Sequence, residues 1–181
     1  MRIISGKHKG KRIIAPKKLP VRPTTDMAKE ALFNILNNSY YFEDVSFIDL
    51  YAGTGNIGFE FASRGTTDLV SVDVDYGCIQ FIDKISKELE YGISTVKSDV
   101  HQFLEKTTLK ADIIFADPPY EFPLVDFTKI PELVFKNELL KEGGVLIIEH
   151  SKHTDLSHLG HFTNQRRYGG SVFSFFASNI H

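Results

Sequence analysis

The chain has 181 residues, 42% hydrophobic and 24% charged, with a single cysteine. That length suits one well-buried domain with a small appendage and excludes two full enzyme domains. No apolar stretch reaches the ~18 residues of a membrane helix, and a lone Cys78, read as a small buried hydrophobe, excludes an internal disulfide.

The net charge of −2 conceals an asymmetry. Residues 1–25 hold Arg2, Lys7, Lys9, Lys11, Arg12, Lys17, Lys18 and Arg22 and no acid, which leaves 13 of the 21 basic residues against all 23 acids beyond them, a balance of −10. A cationic arm on an acidic body points to a polyanion held by one end of the molecule, with a solvated hairpin as the alternative. The opening MRIISGKHKGK has no continuous apolar core, so no secretory signal is read and a cytoplasmic location is expected.

In chain order, RIISG and KRIIAP read as two short strands of a hairpin over residues 1–24, turned around Gly6 to Gly10 and closed by Pro16 and Pro20. After VRPTTD, where Thr24 or Thr25 can cap, MAKEALFNILNN puts Ala28, Leu32, Ile35 and Leu36 on one face of a lead-in helix. From Val45 on, strand and helix patterns alternate: VSFIDLY, a helix near 57–64, DLVSVDV, a helix near 76–90, GISTVKS, a helix near 100–106, ADIIFAD, a helix near 124–137 and GGVLIIEHS. Strands rich in Ile, Val and Phe without strict alternation are buried on both faces, and helices between them imply a parallel sheet with right-handed crossovers. HFTNQRRY and SVFSFFAS around Gly169-Gly170 read as a terminal antiparallel hairpin, with Phe173, Phe175 and Phe176 as sheet core and one ring exposed. Residues 25–181 thus form one doubly wound α/β domain, Rossmann-like, with an expected strand order of 3-2-1-4-5-7-6.

At the end of the first body strand, DLYAGTGNIG places Gly53, Gly55 and Gly58 in a G-x-G-x-x-G pattern between strand and helix, where bare backbone can approach a ligand. Asp73 or Asp75 follows about 20 residues on, the distance at which such folds bind a ribose diol. This pattern serves a dinucleotide or S-adenosylmethionine. Asp49, four residues before Gly53, favours a sulfonium with an ammonium group over a pyrophosphate. Asp99, or the N–H of Val100 after it, can reach an adenine edge; Asp73 and Asp99 can equally cap the helices that follow them. The chain also lacks the length of the substrate domain that most NAD-linked oxidoreductases require.

The strand ADIIFAD runs into Asp117-Pro118-Pro119-Tyr120. Ligands of open α/β sheets collect at the carboxyl ends of the strands where the winding reverses, and order 3-2-1-4-5 puts this tetrapeptide beside the glycine loop. An exocyclic base amine is a poor nucleophile until its N–H bonds meet acceptors, which the Asp117 carboxylate and Pro118 carbonyl supply. The prolines, Pro118 and Pro119, fix the backbone, and Tyr120 offers a face on which a base stacks.

Together these residues resemble the RsmD family of 16S ribosomal RNA guanine-N2 methyltransferases over nearly the whole chain. The matching segments are MRIISGKHKGKRI, RPTTDMAKEALFNIL, DLYAGTGNIGFEFASRG, FADPPYEF, EHS and RRYGGSVFSFF. The DPPY and glycine motifs give only a reaction class shared with adenine-N6 enzymes, whose extra target-recognition domain has no room here; the basic opening with RPTTD is the specific part. The resemblance implies a class I fold and methyl transfer from S-adenosylmethionine to the N2 amine of one guanine, 966 in the family's name, in 16S rRNA, within an assembling 30S subunit and by a monomer. By motif, Asp49, Gly53 and Gly55 would line the methionine end of the donor, Asp73 the ribose, Asp99 and Val100 the adenine, and Asp117 to Tyr120 the guanine. Lys7, Lys9, Lys11, Arg12 and Arg22 are the candidate RNA contacts. The chain departs from the family in having Asp73 where Glu is common and Met27 where Arg is common. No metal is expected: His150/His153 and His158/His161 lack a Cys or carboxylate to complete a set.

Overall fold

The computed structural model describes residues 1–22 and 24–178. Seven strands form one sheet in the order β3-β2-β1-β4-β5-β7-β6. They are β1 (Ser46–Leu50), β2 (Asp68–Asp73), β3 (Ile93–Lys97), β4 (Ala111–Ala116), β5 (Leu140–Ser151), β6 (Phe162–Tyr168) and β7 (Ser171–Phe176). The first five pair in parallel; β7 enters antiparallel beside β5, with β6 at the edge. The expected order is therefore the observed one. β5 starts three residues before the expected Gly143, because Leu140 pairs with Ala111 across an irregularity that precedes the Ile113–Val145 pair.

Helices α2 (Asn56–Ser63), α3 (Tyr76–Leu89), α4 (Val100–Lys106) and α5 (Leu124–Lys136) make the crossovers, and α1 (Asp26–Asn37) leads into them. Strand residues divide by parity. Phe47, Ile113, Phe115, Ile147, Phe173 and Phe175 pack with α1 and α2, through Leu32, Phe33 and Phe61, on one face. Ile48, Leu50, Ile114, Ala116, Ile148 and Phe176 pack with α4 and α5, through Phe103, Leu104, Phe127 and Ile130, on the other. Phe173, Phe175 and Phe176 are all buried, against the expected exposed ring, because β7 lies inside the sheet with α1 over one face and residues around Leu156 over the other. Thr25 caps α1 by accepting from the Ala28 N–H at 3.2 Å, which leaves Thr24 free for another partner.

The arm pairs as a short hairpin: Arg2 bridges Arg12, and the Ile3 N–H donates to the Lys11 carbonyl and the Ile13 N–H to the Met1 carbonyl, each at 2.9 Å, while the amides that follow Ile3 turn to acceptors in α2. Glu60, fully buried in α2, accepts from the Ile4 and Ser5 N–H groups at 2.8 and 3.0 Å. The same carboxylate pairs with buried Lys29 of α1 at 3.3 Å and with Arg64 at 2.8 Å, so its charge is fully compensated. Lys29 in turn donates to the Arg2 carbonyl and to Asn56. Gly6, at φ +86°, lies against the end of α2: a Cβ there would stand 1.9 Å from the Ser63 carbonyl oxygen. Ile3, Ile13 and Leu19 bury among Phe59, Phe81 and Ile82, so the arm shares a core with α2 and α3. Its cations Lys7, Lys9, Lys11 and Arg12 remain exposed.

Candidate active site

Parallel registry fixes which side chains meet at the carboxyl edge of the sheet. Leu50 pairs with Ala116, and Ala116 with Ile148, so the chain leaves β1, β4 and β5 at one level. Asp49, Asp117 and Glu149 continue the alternation of the α1/α2 face and place three carboxyls on neighbouring strand ends. Asp49 is 2% exposed and Glu149 is fully buried. One oxygen of each acid, Asp49 Oδ2, Asp117 Oδ1 and Glu149 Oε1, has no hydrogen-bond partner among the described residues. Three orphaned oxygens at one edge mark a place built for donors or a cation from outside the chain.

The glycine loop after β1 is held by Asp73. Its Oδ2 accepts from the Gly53 N–H at 2.9 Å and its Oδ1 from the Asp75 N–H at 2.8 Å. Gly53 and Gly55 have φ of +58° and +81°, in the left-handed region that favours glycine, which leaves the loop surface to backbone. Tyr51, also at positive φ, turns its ring toward Phe122, 5.7 Å away, and the His101 ring lies 6.0 Å from Phe122. Beneath the loop, burial pushes the Asp49 carboxyl well above the usual carboxylate range; the Asp73 charge adds to this and the Gly58 N–H opposes it. A cation placed there would be stabilised by the orphaned Oδ2, so these residues fit the sulfonium and ammonium of S-adenosylmethionine. Of the two downstream acids, Asp75 caps α3 through the Cys78 N–H at 2.9 Å, and Asp73 is the one turned to the loop. Asp99 is exposed and caps α4 through the Gln102 N–H at 3.0 Å, next to buried Val100. Cys78 is buried, with its thiol pushed up to about 12 by burial and by Asp73 and Asp75, and is chemically quiet.

Across from the loop, Asp117 leaves β4 with its N–H on the Leu50 carbonyl at 3.3 Å. Pro118 is buried and Pro119 exposed, while Tyr120 is half-buried with its hydroxyl 2.9 Å from that of Ser171. Burial raises the Asp117 carboxyl well above the ordinary range; Glu149 and Asp49 add to the shift and Arg22 opposes it. Glu149 is raised by burial, opposed by the Thr24 hydroxyl and by Arg22.

Arg22 does not extend with the other arm cations. Its guanidinium carbon lies 3.5 Å from the Tyr120 ring centroid, and its Nη2 stands 3.6 Å from both Asp117 Oδ1 and Glu149 Oε1. Val21 beside it packs against Gly53, where a Cβ would come within 3.1 Å, and the Thr24 hydroxyl donates to Glu149 Oε2 at 3.0 Å. Residues 21, 22 and 24 therefore lie along the cleft from the glycine loop to the end of β5. Reading the sequence misses Glu149, Thr24 and this placement of Arg22. The available signal was an acid inside the apolar run LIIEH, level with Asp117 once the strands are in register. His150, suspected of no metal role, is buried and bonded to the Ser174 hydroxyl and Ser151 carbonyl, at 2.7 and 2.8 Å.

A 3-2-1-4-5-7-6 sheet with a glycine loop after β1 and a polar cleft at the strand ends defines the class I S-adenosylmethionine-dependent methyltransferase fold. The family model described as "Conserved hypothetical protein 95" matches residues 1–177. The chain is 32% identical over 161 residues to the putative rRNA methyltransferase YlbH of Bacillus subtilis, covering 86% of this chain and 85% of that protein. It is 32% identical over 150 residues to ribosomal RNA small subunit methyltransferase D of Escherichia coli, covering 82% and 74%. The solved structure of a putative methyltransferase, yhhF, from Escherichia coli superposes with a TM-score of 0.84 at 26% identity, covering 97% of this chain and 96% of that one. The chain belongs to this family, that of the ribosomal RNA small subunit methyltransferases D, the RsmD family.

Proposed function

We propose that this protein methylates the exocyclic N2 amine of one guanine, position 966 in the family's name, of 16S ribosomal RNA, using S-adenosylmethionine. It acts as a monomer in the cytoplasm on rRNA of an assembling 30S subunit. One observation carries this reading: the orphaned Asp117 Oδ1 at the end of β4 lies beside the glycine loop and the orphaned Asp49 Oδ2 of the adjacent strand.

Asp49, Gly53 and Gly55 hold the methionine end of the donor, Asp73 the ribose, and Asp99 with the Val100 N–H the adenine. When bound, the donor supplies a methyl group on a positively charged sulfur. Asp117 and the Pro118 carbonyl accept from the two N–H bonds of the base amine and so favour the pyramidal form whose lone pair is free. Tyr120 fixes the plane of the base by stacking, worth about 1 to 3 kcal/mol. Alignment of the amine with the methyl supplies most of the rate. The proton that leaves the nitrogen after transfer passes along its hydrogen bond to the Asp117 carboxylate and from there to water. The exposed Lys7, Lys9, Lys11 and Arg12 engage phosphates.

The test is transfer of labelled methyl from S-adenosylmethionine to 30S subunits and to naked 16S rRNA lacking the mark, followed by digestion to nucleosides. N2-methylguanosine as the sole labelled product is expected. Label in N6-methyladenosine, or in none, would refute the reading.

A further inference from the structure

We propose that Glu149 is the residue that selects guanine: its free Oε1 accepts from the N1–H of the base while Asp117 accepts from the N2 amine beside it, and Arg22 occupies that place when no RNA is bound. The proposal rests on the guanine-N2 reading and deepens it, because neither the glycine loop nor DPPY distinguishes one amino base from another.

Glu149 is fully buried, yet its Oε1 has no hydrogen-bond partner among the described residues. Its other oxygen is fixed by the Thr24 hydroxyl at 3.0 Å, so the free one is aimed rather than loose. A buried acceptor left open on a fixed side chain is costly unless something fills it. Arg22 faces it, with Nη2 3.6 Å from Glu149 Oε1 and from Asp117 Oδ1, and the Ser171 hydroxyl also favours the charged form of the acid. Two orphaned oxygens thus converge on one donor group.

The form of that group indicates what the two oxygens are shaped to hold. A guanidinium is a planar carbon with N–H donors, and this one lies over the Tyr120 ring at 3.5 Å, where a stacked base would sit. The N1–C2–N2 edge of guanine is the same arrangement within a ring: an N–H donor directly beside an amine on a shared carbon. Guanine alone among the amino bases offers it. Adenine and cytosine each have a bare ring nitrogen next to the amine, an acceptor that the Glu149 carboxylate would repel. A site that hydrogen-bonds a donor rejects analogues lacking it by far more than an apolar pocket does, because its buried group is left unpaired.

The chemistry can be read with 16S rRNA ligated to carry either guanine or 2-aminopurine at the target position and reconstituted into 30S subunits. 2-Aminopurine keeps the amine but has a bare N1. The wild-type protein is expected to favour guanine by at least about a hundredfold in kcat/KM. Glu149→Gln, whose amide can donate to a bare N1, is expected to shrink that ratio at least tenfold, with turnover of 2-aminopurine held or raised. An unchanged ratio in Glu149→Gln overturns the proposal. So does a wild-type protein that methylates both bases equally, a result that needs no folded variant. Methylation of neither base overturns the guanine-N2 reading itself, and the proposal with it.

Discussion

Arg22 lies over Tyr120, its guanidinium carbon 3.5 Å from the ring centroid, and the same side chain faces Asp117 and Glu149. An arginine from the basic arm is thereby the counter-charge of Asp117 and of buried Glu149 at the carboxyl edge of the sheet. Arg22 and Thr24, from the segment that most specifically marks the family, are thus part of the cleft.

Removing that counter-charge has a definite pH signature. Burial already raises both carboxyls, and Arg22 opposes the rise, so Arg22→Ala lifts their folded-state proton affinity further. A raised carboxyl binds more protons folded than unfolded, and stability therefore falls as pH climbs from the ordinary carboxylate range through the raised values. Arg22→Ala is expected to cost about 1 kcal/mol at pH 8, discounted because its side chain is 45% exposed, and little at pH 4. Thermal melts of both proteins across that range check this; an equal loss at every pH would contradict it.

Asp117→Ala is expected to lower methyl transfer about a hundred- to a thousandfold, the range found when a group acting on the transition state is removed. Affinity for S-adenosylmethionine, measured by isothermal titration, should stay within about threefold, since Asp117 is proposed to face the acceptor. A parallel loss of donor affinity would place Asp117 in the wrong half of the cleft.

Asp49→Asn should act in two opposite directions. The buried carboxylate is raised well above its ordinary range with one oxygen unpartnered, so neutralising it stabilises the ligand-free protein near neutral pH, by on the order of 1 kcal/mol. That gain fades as pH falls and the wild-type acid takes up its proton. The same change removes the carboxylate proposed to face the cationic donor, and S-adenosylmethionine affinity should fall at least tenfold, about 1.4 kcal/mol. Denaturation with and without S-adenosylmethionine reads both effects in one experiment.

Charge reversal at Lys7, Lys9, Lys11 and Arg12 tests the exposed face of the arm. Each lost phosphate contact is expected to remove about 0.7 to 0.9 from the slope of log affinity against log salt for 16S rRNA. Folding should be retained, because the arm docks through Glu60, Gly6, Ile3 and Ile13 and not through these four side chains. An unaltered slope would confine the arm to a structural role.

The body of the fold was legible because its strands are buried on both faces and its helices are amphipathic: SFIDL, DLVSVD and ADIIFA each carry the strand in their own composition. The arm was less so. RIISG and KRIIAP have strand composition, but their pairing ends early because the Ile4 and Ser5 amides go to Glu60, a side chain some 55 residues away in sequence that no local pattern reveals. One ring among Phe173, Phe175 and Phe176 reads as exposed because nothing in SVFSFF says that β7 inserts between β5 and β6. At the cleft, Asp49, Asp73 and Asp117 were visible through their spacing to glycines and prolines. Glu149 was not, since its meaning comes from Ala116 pairing with Ile148, which only the folded sheet supplies.

Methyl transfer to the N2 amine of one 16S guanine, as proposed, is tested most directly by a mass map of modified 16S rRNA nucleotides from cells with and without this protein. One N2-methylguanosine, at the position in the family's name, is expected in the first and not in the second. An identical modification map in the two strains would contradict it.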